Sequence, residues 1–310
     1  MARQTPTFCL VDFKVAATVL SQQPLGYGYL AWIHMEPTHP DLVLPESDHN
    51  LIIHESGHVP VLIAENPTRK PILIIRNLTL VGGLQTRTLE RTIIIPPKCT
   101  VTIPVKCVER GRWSPSPNDP YDRFSLSGRL DLRMRHRLSV DQLKNLQQHR
   151  IYEAAQFTVW NEVDHRLGEF NVDSPTDSYQ DFLEKRRKMI NKNKLYSIRP
   201  HPEANGVMIF TRSGFLSIEV LPKVDHLFQY RSLFLEDLFD PRLNPPNKKM
   251  TPPAFADILE DLLMSPLVSI PKVPGCIGQT FVTKTNRFLG EVTLFEKKIA
   301  HASFSVQKEH

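Results

Sequence analysis

The sequence predicts an α+β protein with an N-terminal antiparallel β-sheet or sandwich, then a helical segment, then a smaller mixed α/β C-terminal portion. Three observations predict this class: short β-branched runs recur up to residue 113, helical spacing begins at residue 139, and both patterns alternate after residue 196. The chain has 310 residues, of which 41% are hydrophobic and 23% charged, so it can bury a sizeable core. Because the pattern runs without interruption, we expect one compact unit over residues 1–310.

The first region, residues 1–113, is predicted to be β-rich because its apolar runs are short and separated by turn-forming residues. The runs recur about every ten residues, a spacing typical of antiparallel sheets rather than βαβ units. The run that begins at Thr100 contains Pro104. Because proline has no N–H to donate, this run is predicted to be an edge strand.

The next two regions differ in composition. Residues 114–138 begin with several prolines and continue with arginines, which predicts a long charged surface loop. Residues 139–195 are predicted to be helical. Ser139 and Gln142 fit a capping box, and residues 174–177 fit a second helix start with proline at the first helical position.

The remaining residues, 196–310, mix strands and helices. Their predicted elements are, in order, a hairpin of residues 206–210 and 215–220, helices over 226–238 and 254–264, and strands over 279–284 and 290–295. Residues 243–249 are rich in proline, asparagine and lysine, which makes them the strongest candidate for a mobile loop.

The composition disfavours several classes of protein. No uncharged apolar run reaches about 18 residues, so no membrane-spanning helix is expected, and the N terminus lacks the pattern of a secretory signal. The four cysteines, Cys9, Cys99, Cys107 and Cys276, form no CxxC pair, which favours reduced thiols in a cytoplasmic protein. The net charge of +5 permits anionic partners without requiring them.

Residues 54–58 read HESGH and match the HExxH pattern of zinc peptidases. That pattern binds metal only when a helix brings both histidines to one face. Here an aliphatic run precedes His54, Gly57 lies inside the motif and Pro60 follows it, which predicts a strand entering a turn. We therefore predict no metal site and no cofactor.

Cys107 is followed by a short loop and Arg112, an order used by cysteine phosphatases and sulfurtransferases to stabilise a thiolate. The phosphatase loop places one more residue between the cysteine and the arginine than this sequence does. The residues after Trp113 also do not continue as a helix. A buried structural cysteine is therefore the alternative to a reactive one.

The residues that favour a ligand site are Gln85, Arg87, Glu109, Arg112 and Trp113. A guanidinium group binds phosphate or carboxylate with two hydrogen bonds, and an indole face can stack on a base. The alternative is that Arg110 and Arg112 form surface ion pairs while the indole covers the end of the sheet.

Residues 184–194 carry six basic side chains, but no aromatic residues are interleaved with them to stack on bases. A solvated helix face is therefore favoured over nucleic-acid binding. The same face is the candidate contact surface if the chain binds a protein partner.

These motifs also carry a resemblance to a known family. The sequence resembles the ARG-and-rhodanese-phosphatase-superfamily-associated protein domain, in which ARG denotes ADP-ribosylglycohydrolase. The likeness covers most of residues 50–190 and is densest in residues 55–60, 80–87 and 103–113, the last of which read IPVKCVERGRW. In relatives Glu55 is part of the pattern and the histidines beside it are not.

The resemblance implies an association with ADP-ribose and phosphatase-type proteins, and no particular reaction. This sequence departs from the family at two places. Relatives carry an acidic segment where this chain has residues 76–79, and an asparagine where it has Thr86. If those acidic groups catalyse a reaction in relatives, this chain lacks them.

The sequence thus predicts a cytoplasmic accessory domain that binds a nucleotide or ADP-ribose-like anion. Two alternatives stay open. One is an enzyme acting on an ADP-ribose-related substrate, with Cys107 as nucleophile or Glu55 and Glu109 as acid and base. The other is a protein-interaction scaffold that uses the proline-rich loops and residues 184–194.

Overall fold

The computed structural model describes residues 7–45, 50–115, 123–190, 192–243 and 251–307. The chain folds as two compact units. Unit 1 consists of residues 1–40, 190–271 and 278–310, and unit 2 consists of residues 41–189 and 272–277. Whether the two units pack together into one compact body, as expected from sequence, stays a prediction.

The strands pair in antiparallel fashion and are, in chain order, β1 (Thr7–Phe8), β2 (Ala16–Leu25), β3 (Gly28–Glu36), β4 (Ile52–His54), β5 (Val61–Asn66), β6 (Ile72–Ile74), β7 (Leu78–Gly82), β8 (Arg87–Leu89), β9 (Ile93–Ile95), β10 (Cys99–Cys107), β11 (Phe124–Arg129), β12 (Gly206–Phe210), β13 (Phe215–Val220), β14 (Leu267–Ser269), β15 (Gln279–Lys284), β16 (Leu289–Phe295) and β17 (Lys298–Gln307). The helices are α1 (Leu132–His149), α2 (Gln156–Glu169), α3 (Tyr179–Met189), α4 (Lys192–Ser197), α5 (Val224–Leu235) and α6 (Phe255–Leu263), with 3₁₀ turns at Leu10–Phe13 and Glu236–Phe239.

Strands come first, helices lie in the middle and the C-terminal portion is mixed, which confirms the predicted α+β class. In the described residues, no helix is long and apolar enough to cross a membrane.

Unit 1 is built on a nine-stranded sheet in the order β1-β14-β15-β16-β17-β13-β12-β3-β2. Side chains alternate between the two faces along each strand, and apolar residues collect on one face of this sheet. Ile218, Val292 and Phe304 belong to that apolar cluster. Helix α6 places Phe255 and Leu259 in the same hydrophobic cluster. The sheet and this helix therefore share one core.

Several predictions for unit 1 are confirmed. Residues 206–220 form the predicted hairpin, with Gly206 opposite Val220, and helices occupy the two predicted places. The two expected C-terminal strands are present as β15 and β16. Strand β17, which follows them and pairs with both β13 and β16, was not predicted. Most of the predicted mobile loop 243–249 lies outside the described residues.

Unit 2 contains a six-stranded sheet in the order β11-β7-β8-β10-β5-β4 and a two-stranded sheet of β6 and β9. The edge-strand prediction for residues 100–108 is wrong, because β10 lies inside the larger sheet. It pairs with β5 as far as Pro104 and with β8 from Val105 onward. The missing N–H of Pro104 therefore falls where the strand changes partner, so the proline does not expose an edge.

The loop predicted for residues 114–138 is absent from the described part of that range. Strand β11 and the first turns of α1 occupy most of it, and residues 116–122 lie outside the described residues. Arg129 and Arg135 are buried. The prediction failed because arginine is mostly a surface residue, so a run of arginines resembles a solvated loop.

The predicted capping box at Ser139 is also wrong. Helix α1 begins earlier, where the Asp131 side chain accepts a hydrogen bond from the Met134 N–H at 3.1 Å. Ser139 lies inside the helix and its Oγ donates to the Arg135 carbonyl at 2.9 Å. Helix α3 likewise begins at Tyr179, after the start that residues 174–177 predicted.

Candidate functional site

The predicted ligand residues lie together in unit 2, around the turn between β7 and β8 and the end of β10. Arg87 is the first residue of β8 and Cys107 the last of β10, and the two are directly opposite in the register. Gln85 precedes β8, while Glu109, Arg112 and Trp113 follow β10. Strand pairing therefore brings together residues that the sequence separates.

Glu109 is the centre of a hydrogen-bond network, and only 4% of its surface is exposed. Its Oε1 accepts from Arg112 Nε at 2.8 Å and Thr176 Oγ1 at 2.7 Å. Its Oε2 accepts from Arg112 Nη2 at 2.8 Å and from both the N–H and the hydroxyl of Thr86 at 2.8 and 2.9 Å.

These donors decide the protonation of Glu109. Burial raises its pKa, but the hydrogen bonds from Arg112, Thr86 and Thr176 outweigh burial and hold the pKa below its ordinary value. A carboxylate whose two oxygens already accept five hydrogen bonds has little capacity left to take a proton from a substrate. The geometry therefore gives Glu109 a positioning role.

Each guanidinium nitrogen of Arg112 donates a hydrogen bond to another group of the protein. Besides Glu109, its Nη1 donates to the carbonyls of Gly83 and Ser114 at 2.8 Å each, and its Nη2 lies 3.5 Å from the Gly82 carbonyl. Gly82 has a φ of +131°, and a Cβ there would lie 2.2 Å from the Arg123 carbonyl oxygen. Arg112 thus binds a turn whose shape requires glycine.

Arg87 differs from Arg112, although its side chain is completely buried at 0% exposure. Its Nη1 donates to Gln85 Oε1 at 2.9 Å. Its Nε and Nη2 are buried and have no hydrogen-bond partner among the residues that the structure describes. Burial lowers the pKa of Arg87, and the nearby Cys107, Glu55 and Glu109 raise it by less. Because a buried charged donor without an acceptor is costly, this edge of Arg87 suits an anionic ligand.

Trp113 covers this arginine. Its ring centroid lies 5.7 Å from Arg87 Cζ, within the range of a cation–π contact. Half of the Trp113 surface, 50%, is exposed. A partly exposed aromatic ring therefore lies beside an arginine two of whose donors find no acceptor in the described part of the chain.

Cys107 is buried and lies opposite Arg87 on the neighbouring strand. Its Sγ donates to the Glu109 carbonyl at 2.7 Å, and Gln156 binds its backbone through two hydrogen bonds. Burial raises the pKa of the thiol, while the Glu109 backbone, Arg87 and Trp160 lower it by less. At neutral pH the group is therefore a thiol, which opposes a role as nucleophile.

Trp160 is a site residue that the chemical argument from sequence did not include. Its buried indole N–H faces the same Cys107 thiol that Arg87 acts on, and both groups lower the pKa of that thiol. Gln156 and Trp160 lie on α2, far from β10 in sequence. The signal for them was the family resemblance, which covers most of residues 50–190 and matches at both positions.

Glu55 joins two turns through its carboxylate. Its Oε1 accepts from the N–H groups of Ser56 and Gly57 at 3.0 and 3.2 Å, and its Oε2 accepts from the Leu84 N–H at 3.0 Å. His54 ends β4, and Gly57 has a φ of +74°, so the predicted strand and turn are confirmed. Within the described ranges, no group of three or more His, Cys, Asp or Glu side chains could hold a metal ion.

Arg110 is the arginine that forms the surface ion pairs expected from sequence. Its guanidinium is bound by Asp164 at 3.1 and 3.2 Å and by Asp177 at 2.8 and 3.3 Å. Its side chain is 43% exposed. Three neighbouring arginines thus have different roles: Arg110 is paired at the surface, Arg112 closes a turn, and Arg87 has two donors with no acceptor in the described ranges.

One comparison with known proteins gives a match. The family model described as the ARG and Rhodanese-Phosphatase-superfamily-associated Protein domain matches residues 35–305. The comparison with curated proteins and the comparison with solved structures give no significant match.

Proposed function

The chain belongs to the ARG and Rhodanese-Phosphatase-superfamily-associated Protein domain family, and on that premise we propose that it is a cytoplasmic accessory domain that binds a nucleotide or ADP-ribose-like anion. The observation that carries this proposal is the buried Arg87 edge, Nε and Nη2, which has no acceptor among the residues that the structure describes and lies beside the half-exposed Trp113.

The two free donors of Arg87 match the chemistry of a phosphate group. Nε and one Nη of an arginine lie on one edge of the guanidinium and bind two oxygens of one phosphate in parallel. Gln85 holds Nη1 and so fixes the orientation of this edge. A phosphate bound there would supply the acceptors that the described residues do not.

Trp113 matches the other half of such a ligand. Nucleotides and ADP-ribose carry a planar base attached through ribose to phosphate, and an indole stacks on such a base. Because Arg87 is fully covered, we expect the Trp113 ring to move aside when the phosphate reaches Nε and Nη2. Binding should therefore change tryptophan fluorescence.

A titration tests the proposal directly. The purified full chain is titrated with ADP-ribose, NAD and inorganic phosphate while tryptophan fluorescence and binding heat are followed. We expect saturable binding of at least one nucleotide ligand and its loss in Arg87→Ala. Arg87→Lys keeps the charge without the two-donor edge, so it should bind weakly.

Two further variants keep the result interpretable if Arg87→Ala fails to fold. Trp113→Ala changes a half-exposed side chain and should weaken binding about tenfold, the effect of losing one stacking contact. Arg110→Ala removes a neighbouring positive charge outside the site and should bind like the unaltered protein. Absence of saturable binding to every nucleotide, or equal binding by the Trp113 and Arg110 variants, would contradict the proposal.

A further inference from the structure

A second cluster of arginine and aromatic side chains lies on unit 1, where α4 and the residues after it contact α5. We define the α4–α5 cluster as Tyr196, Arg199, Phe228 and Arg231. Tyr196 is 51% exposed and Phe228 is 39% exposed. Arg231 Cζ lies 3.9 Å and Arg199 Cζ 4.9 Å from the centroid of the Phe228 ring.

The two guanidinium groups are held at one place by shared contacts. The Tyr196 carbonyl accepts a hydrogen bond from Arg199 Nη1 at 3.3 Å and from Arg231 Nη2 at 3.3 Å. The Tyr196 ring lies 6.0 Å from Arg231 Cζ. One phenyl ring and one carbonyl therefore bring two positive charges together beside an exposed phenol ring.

No carboxylate compensates these charges within the described residues. Neither Arg199 nor Arg231 forms an ion pair there, in contrast to Arg110, which binds two aspartates. Arg231 Nε is buried without a hydrogen-bond partner in the same part of the chain. Burial and the neighbouring Arg199 lower the pKa of Arg231, and only the Tyr196 phenol acts against them. A partner with negative charge would relieve this repulsion.

We propose that the α4–α5 cluster binds single-stranded nucleic acid, with Arg199 on a backbone phosphate and Tyr196 stacked on a base. Arg231 donates to the carbonyls of Phe228 and Tyr196 and adds its positive charge beside the phosphate. Single-stranded nucleic acid is bound by basic surfaces that carry exposed aromatic rings. The exposed Lys192 and Lys194 on α4 add positive charge to the same unit. An acidic peptide would match the charge, but it would have no planar group for the exposed ring.

The fold places aromatic side chains beside basic ones that are distant in sequence. Residues 184–194 disfavoured nucleic acid because no aromatic residue lies among them. The structure places Phe228 from α5 against Arg199, and Tyr196 follows the basic residues of α4. The cluster consists of unit 1 residues and the Arg87 site of unit 2 residues, and neither proposal depends on the other.

The test is fluorescence anisotropy of the full chain with a labelled oligothymidylate of about twelve nucleotides, at low salt and with increasing salt. We expect saturable binding that weakens as salt rises. Arg199→Ala and Arg231→Ala should each weaken binding about tenfold or more, and so should Tyr196→Ala. Tyr196→Phe keeps an aromatic ring and should bind like the unaltered protein.

Matched controls separate this site from general positive charge. Arg69→Ala removes an exposed arginine of unit 2 and should leave oligothymidylate binding unchanged. Arg199 makes few contacts, so its variant should fold even if Arg231→Ala does not, and thermal unfolding checks both. Three results would overturn the proposal. They are a loss of binding in Arg69→Ala as large as in Arg199→Ala, unchanged binding by Tyr196→Ala, and tighter binding of polyglutamate than of oligothymidylate.

Discussion

Glu109 and Arg112 form a two-point ion pair inside unit 2, with distances of 2.8 Å from Nε to Oε1 and from Nη2 to Oε2. Arg112 also donates to the Gly83 carbonyl. The pair therefore ties the end of β10 to the turn that precedes β8, and so helps to place Arg87.

Arg112→Ala should lower the free energy of unfolding by about 3–5 kcal/mol, because it leaves the Glu109 carboxylate buried without its cation. Arg110→Ala is the matched control. It breaks exposed ion pairs two positions away, for which about 0–1 kcal/mol is expected. Urea unfolding of both variants measures the difference. Similar losses for the two would show that the buried pair contributes no more than a surface pair.

Cys107 should react slowly with iodoacetamide near neutral pH, because burial raises the pKa of its thiol. Mass spectrometry of the native protein would compare its labelling with that of Cys9 and Cys99, which are partly exposed. Cys107→Ser assigns the signal. Alkylation of Cys107 faster than that of the other two cysteines would favour the enzyme hypothesis, in which this thiol is the nucleophile.

Glu90 should make unfolding depend on pH in the weakly acidic range, up to about pH 7. Its Oε1 accepts from the Ala154 N–H at 2.9 Å and its Oε2 lies 3.5 Å from Lys106 Nζ. Burial outweighs these contacts and raises the pKa of Glu90 to about 7, from 4.5. Between these values the folded state binds a proton that the unfolded state has released, so stability falls as pH rises.

Glu90→Gln should remove this dependence. The amide keeps an oxygen for the Ala154 N–H and carries no charge at any pH. We expect the unaltered protein to lose up to about 3 kcal/mol between about pH 4.5 and 7 through this group. Urea unfolding across that range tests the expectation. A variant that follows the pH profile of the unaltered protein would contradict it.

Asp131 should act in the opposite direction and at lower pH. Burial alone would raise its pKa, but Arg166, Arg186, the Met134 N–H and the Tyr179 hydroxyl together lower it. Its stabilising contribution is therefore present above the unfolded-state pKa of about 4 and is lost as pH falls through the folded-state value.

Asp131→Asn should cost about 1–3 kcal/mol at neutral pH because it removes the charged acceptor of Arg166 Nε, while Glu169 and Glu162 still pair with the Nη atoms. The difference from the unaltered protein should shrink below about pH 4, where the unfolded-state carboxyl is protonated. Circular dichroism during acid titration and urea unfolding measure both effects. A difference that stays constant down to strongly acidic pH would refute this role for Asp131.

Local patterns were sufficient for some elements. The hairpin of β12 and β13 consists of two short, mostly apolar runs on either side of a Ser213-Gly214 turn, and α6 repeats apolar residues at helical spacing, so each could be predicted from its own residues. Other elements depend on distant partners. Pro104 was misleading because the change of partner along β10 is set by β5 and β8, which no local pattern reveals.

The candidate site divides in the same way. The residue types of Arg87, Glu109 and Trp113 indicated an anion site, and the structure places them together. The sequence does not show that Arg112, rather than Arg110, forms the ion pair with Glu109. That pairing depends on the fold, which places Glu109 against Thr86 and Arg110 against Asp164. Binding of a ligand at Arg87 stays a prediction.

The division of unit 1 in the sequence has a consequence for synthesis on the ribosome. Strand β3 is made early, yet its neighbour β12 belongs to a segment made after residues 41–189 have emerged. Until then the nascent β2–β3 hairpin has an open edge, which invites pairing with another polypeptide. We expect translation that stops near residue 190 to yield an aggregation-prone product, even where most of unit 2 has already folded.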